Sequence, residues 1–203
     1  MEQIQRVALL PKLRFATAAQ LAAVLPPDDD VQPLFMPRRS ASDLFIALVE
    51  AGERVAAIRY LAVSLPRREA VWWACAVARH FPTPMTRPEE EDCWAAVESW
   101  VYEPGDAKRR AAYAPAQVLD FSTAAAYAAL GVYWSGGSLA PPETALVIPP
   151  GDALTGSAVG ASVILSCVPG PARDIAARHD TALTIGFDIA NGGSGLVEIG
   201  ERP

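Results

Sequence analysis

Pro66 stands directly ahead of fifteen residues that contain no glycine or proline, and this stretch constrains the fold more than any other. Proline suits the start of a helix, because the first helical position has no intrahelical use for an N–H. Glu69 then falls in the first turn and Arg79 and His80 in the last, each charge opposite to the nearer end of the helix dipole. The spacing predicts a helix over residues 66–81. On its 3.6-residue period Trp72, Ala76 and Arg79 share one face while Trp73, Val77 and Phe81 share another, so the adjacent indoles point about 100° apart. One tryptophan is expected in the core and the other at a second contact.

The rest of the composition favours the same kind of element. Of 203 residues 38 are alanine, the best helix former and small enough to let helices approach closely. The expected fold is all-α, a compact multi-helix bundle rather than a solenoid, since no repeat period is evident. A chain of this length needs only one domain, burying about 70% of its unfolded surface. The boundaries read as an N-terminal lead and connector over residues 1–39, a helical domain over 40–190 and a flexible tail over 191–203.

Net charge is −6, with three basic and eight acidic side chains in residues 111–203. Nucleic acid is therefore not an expected partner, since it requires a positive field. The basic pairs and triplets at residues 38–39, 67–68 and 108–110 read as short solvated faces. No apolar run approaches a membrane span and no leader pattern opens the chain, so no membrane insertion and a cytoplasmic location are expected. Cys75, Cys93 and Cys167 are odd in number and widely spaced, which fits buried thiols in a reducing compartment.

In chain order, residues 17–25 predict a short helix closed by Pro26-Pro27, and residues 31–37 an extended connector. Ser40 or Ser42 caps a helix that ends near Gly52, and residues 53–65 form the next, with Val55, Ile58, Leu61 and Ala62 on its buried side. Residues 81–88 form a loop, after which four consecutive acidic residues, 89–92, open a helix carrying Trp94, Val97, Trp100 and Val101. Residues 108–114 suggest a helix stopped by Pro115, and Ser122-Thr123 caps an alanine-rich helix running to Trp134. Residues 155–167 are apolar and rich in small side chains, a pattern that permits a helix or an unpaired strand, and residues 171–190 form the last helix.

Two segments are candidates for contact with a partner. The first is Arg67, Arg68, Glu69, Trp72 and Trp73, since tryptophan and arginine most often anchor interfaces. The same residue types more often serve intramolecular packing, with Arg67 or Arg68 paired to an acidic residue of a neighbouring helix and both tryptophans in the core. The second is Trp134, Ser135, Gly136, Gly137 and Ser138, which open a long Gly/Pro-rich loop over residues 135–153. Loops of this length in a compact domain are usually functional or mobile. Its glycines could present backbone amides to an anion or a peptide carboxylate, but the lysine and spacing of a phosphate-binding loop are missing. No cofactor motif, nucleophile elbow or zinc-ligand spacing is present, and four carboxylates in a row point around a helix rather than at one metal ion.

The strings Ser42-Asp43-Leu44-Phe45, Arg67-Arg68-Glu69-Ala70-Val71-Trp72-Trp73 and Ser135-Gly136-Gly137-Ser138-Leu139-Ala140-Pro141 resemble an uncharacterised bacterial helical domain family over roughly residues 40–190. Members of that family are associated with type VI secretion gene clusters. The resemblance implies a cytoplasmic accessory role, as adaptor or chaperone for a secreted effector or its spike. The leading expectation is thus a non-enzymatic, cofactor-free protein-binding module. Its rivals are an immunity protein that uses its acidic C-terminal half against a basic toxin, and an enzyme with a site near Glu69, His80 or Asp92.

Overall fold

The computed structural model describes residues 10–82 and 87–197. Helix α1 (Ala18–Val24) begins at Thr17, whose hydroxyl accepts from the Gln20 amide while the Gln20 side chain reaches back to the Thr17 amide. A 3-10 turn at Gln32–Leu34 interrupts the connector that was expected to be extended. Helix α2 (Ala41–Glu50) is capped by Ser40, and Gly52, at φ +77°, turns the chain into α3 (Arg54–Ser64). The predicted tryptophan helix is α4 (Arg67–His80), with Pro66 at its cap.

Helix α5 (Glu89–Tyr102) opens on the four carboxylates, as expected. Two short helices follow, α6 (Asp106–Ala111) and α7 (Tyr113–Val118), where one had been expected to stop at Pro115. Pro115 instead sits in the first turn of α7, where its missing N–H costs nothing. Helix α8 (Ala124–Tyr133) is capped by Thr123, α9 spans Leu154–Ser166, and a 3-10 turn at Ala172–Asp174 leads into α10 (Ile175–Ala190). The described residues contain no β-strand, and the fold is all-α.

Helix α9, whose pattern also permitted a strand, is the hub: it packs against α8, α3 and α4. Gly156 and Gly160 lie four residues apart on one face and allow α3 to come close. A Cβ at Gly156 would sit 2.4 Å from the Cα of Val63, whereas one at Gly160 would be 3.4 Å from the Cα of Arg59. On another side Gly131 of α8 would meet the Val159 methyl at 3.1 Å. Helix α3, pressed between α9, α10 and α2, is buried nearly all round; Val55, expected inside, is its exposed exception at 45%.

Helix α10 closes the bundle over α3 and α4, and Gly186 lies where a Cβ would strike the Trp73 ring at 2.7 Å. Leu10, Ala18, Leu21, Val31 and Phe35 belong to the same core as the helices that follow. Residues 191–197, expected to fray, are tied down: Asn191 accepts from the Leu10 amide at 3.0 Å and Asp188 accepts from the Gly195 amide at 2.8 Å. The remaining tail and the N-terminal lead, residues 198–203 and 1–9, lie outside the described residues, as do residues 83–86 of the predicted loop.

Candidate functional site: a strap held by arginines

Trp73 is fully buried and donates its indole N–H to the Ala182 carbonyl at 2.8 Å, so this ring belongs to the core and has no surface to offer. Trp72 is half-buried. It donates to the Ser194 carbonyl at 2.7 Å and lies under the Arg79 guanidinium, 5.1 Å from the ring centroid. Glu69 pairs with Lys12 at 3.7 Å. Arg68 donates to the Val101 carbonyl at 2.7 Å, satisfying one of the acceptors left over at the end of α5.

Arg67 brings the two predicted segments together. Its guanidinium donates to the Ser135 carbonyl at 3.2 Å and to the Asp152 carboxylate at 3.4 Å. One side chain therefore touches both ends of the helix-free segment between α8 and α9. We call this segment, residues 134–153, the strap.

A second anchor holds the first part of the strap. Arg109, expected on a solvated face, is only 3% exposed, and its guanidinium makes four hydrogen bonds to three acceptor atoms. It donates to the Tyr133 carbonyl at 2.6 Å, to the Ser138 carbonyl at 3.0 Å, and through Nε and Nη2 to Asp106 at 2.9 and 2.7 Å. Arg110 adds bonds to the Ala140 and Ser138 carbonyls at 3.0 and 2.9 Å and to the other oxygen of Asp106. These two hydrogen-bonded guanidinium groups hold the Asp106 carboxyl below the usual aspartate range. Gly137 fits this arrangement doubly: its φ is +62°, and a Cβ there would lie 2.7 Å from Asp106. Gly136 has open space around it.

Ser138 works as a staple inside the strap. Its hydroxyl accepts from the Ala140 and Ile148 amides at 3.1 and 3.0 Å and donates to the Leu146 carbonyl at 3.4 Å, while the Leu139 amide donates to the Ile148 carbonyl at 2.8 Å. The strap is therefore folded back on itself. Between the staple and Pro149 it displays Leu146, Val147 and Ile148, which are 61%, 73% and 44% exposed. Among the described residues they form the one consecutive run of large exposed apolar side chains. Neither Arg109 nor this apolar run was singled out in the sequence; the run's signal is four apolar residues ending at Pro149 inside a polar, proline-rich segment.

Glu69, His80 and Asp92, near which an enzyme's site was expected, line neither the cavity between the ends of α4 and α9 nor the one beside Arg54 and His179. The thiols of Cys75, Cys93 and Cys167 are buried and pushed up to about 12 by desolvation, leaving them neutral. Among the described residues no group of His, Cys, Asp and Glu is placed to hold a metal ion, and no helix is long and apolar enough to cross a membrane.

A family of unknown function, DUF6931, matches residues 44–190. The chain belongs to this family. The DUF6931 match runs from the first turn of α2 to the last residue of α10 and so takes in both the tryptophan helix and the whole strap. Searches of curated proteins and of solved structures found no match.

Proposed function

We propose that this protein is a non-enzymatic protein-binding module whose contact surface is the strap. The observation that carries the proposal is the exposure of Leu146, Val147 and Ile148 on a segment anchored at its two ends and stapled within. Apolar side chains displayed in a row mark interaction sites more often than scattered ones do. A segment already held in one shape also loses less conformational freedom on binding than a mobile loop would.

Arg67 acts in this proposal as a positioning residue that holds the strap, rather than as the partner's own contact. Arg68 is exposed and Trp72 and Trp134 are half-buried, so each keeps some surface that a partner could reach. Following the sequence resemblance, the partner class we propose is a type VI secretion effector or spike component, for which this protein would serve as adaptor or chaperone. The test is affinity capture of the full chain from cells that make it, beside a Val147→Asp variant, with identification of the captured proteins. An effector or spike component retained by the native chain and lost with the variant supports the proposal; a partner set indifferent to the variant sinks it.

A further inference from the structure

The bundle holds a half-open cavity of about 600 Å3 where the ends of α4 and α9 meet α5 and the start of α8. It is distinct from the strap, whose residues do not line it. Its space comes from small residues: Ala78 on α4 and Ala124 on α8, both half-exposed, stand on two of its walls. Larger apolar side chains complete it, Trp94 from α5, Leu165 from α9 and Phe81, whose ring is flanked by His80 and Arg178. A volume of this size falls within the range, about 300–1,000 Å3, that encloses small organic ligands.

The polar groups in the wall narrow the chemistry of the occupant. Arg79 is bound to Glu98 at 2.6 Å, so its charge is already matched. Glu90 adds a carboxylate to the wall and the Arg178 guanidinium stands over Phe81, so neither sign of charge dominates around the cavity. The hydroxyls of Ser122 and Ser166 donate to the Leu119 and Ser162 carbonyls at 2.6 and 2.9 Å, and that of Thr123 accepts from the Ala126 amide. The Cys75 thiol stays neutral. An ion of either sign would shed its water with few uncommitted polar groups to replace it, whereas an uncharged hydrocarbon surface would replace water against apolar walls.

We infer that this cavity is a binding site for a neutral, predominantly apolar small molecule, of the class of medium-chain alcohols or simple aromatics. The probe is Nile red, an uncharged dye that brightens in apolar surroundings, titrated into the full chain. The expected result is saturable binding at one dye per chain, displaced by 1-decanol but not by decanoate or decyltrimethylammonium. Ala78→Trp and Ala124→Trp, each confirmed as folded by circular dichroism and thermal melting, should weaken binding at least tenfold by filling the space.

Absence of saturable binding, unchanged binding in both folded variants, or displacement by either ion would overturn the inference. Should the tryptophans disturb folding, chemical-shift mapping of the native chain with 1-decanol provides the second readout. Shifts centred on Ala78, Trp94, Ala124 and Leu165 uphold the site; shifts centred elsewhere overturn it.

Discussion

Arg67 donates to the carbonyl of Ser135 at 3.2 Å, and this bond joins the helix of the paired tryptophans to the start of the strap. It does so from a half-exposed position, with Asp152 as a second and largely exposed acceptor. Arg109 performs the same service from inside the protein; without it the Tyr133 carbonyl would lose its donor, while the Ser138 carbonyl would keep only Arg110. Burial therefore ranks the two anchors.

Replacing Arg109 by lysine should destabilise the protein by roughly 2–3 kcal/mol, because an ammonium cannot reproduce the planar fork and a buried charge would be left with fewer partners. Arg67→Ala should cost about 1 kcal/mol or less, as expected of a solvent-screened contact. Urea unfolding measures both. Hydrogen exchange should quicken within residues 134–150 in each variant while α9 and α10 stay protected.

The glycines of α9 give a paired prediction. Gly156→Ala places a methyl 2.4 Å from backbone of α3 and should cost about 3 kcal/mol, as overpacking does when backbone must move. Gly160→Ala meets its nearest neighbour at 3.4 Å and should be neutral or stabilising by up to about 1 kcal/mol through helix propensity. Equal effects of the two on the melting temperature would contradict the close crossing.

His179 supplies a pH dependence. Burial, assisted by the nearby Arg54, pushes its imidazole below the ordinary value of 6.5, and its Nε2 is buried without a hydrogen-bond partner. At pH 7.5 the ring is neutral in both the folded and unfolded states. As pH falls through about 6.5 the unfolded chain takes up a proton first, so stability drops until the folded pKa is passed. Denaturant unfolding at pH 7.5 and 5.5 should show a loss in the native protein that is smaller in His179→Leu.

Local signals made much of this fold legible in the sequence. Ser40 and Thr123 mark their helix starts because capping depends on an amide three residues away, and Pro66 marks its own because its fixed φ and missing N–H suit a helix start. That Trp72 and Trp73 take different surroundings follows from the helical period, but which of them is buried depends on where α10 packs. Helices α3 and α9 were harder to read because they are covered on several sides, which removes the alternation of apolar and polar faces.

What the sequence hid depends on contacts far along the chain. Arg109 is buried because Tyr133 and Ser138 present carbonyls to it 24 and 29 residues later. Arg67 reaches Ser135 across 68 residues, and the Ser194 carbonyl accepts from an indole 122 residues away. A basic triplet looks the same in sequence whether its acceptors are water or a folded strap.

The most direct test of the binding proposal is affinity capture of the native chain beside Val147→Asp, from cells that make the protein, with mass spectrometry of the captured proteins. Val147 is 73% exposed, so the substitution should leave stability within about 0.5 kcal/mol of native. The account predicts a secretion effector or spike component in the native sample and its loss in the variant. Identical partners in both samples, or no specific partner in either, would contradict it.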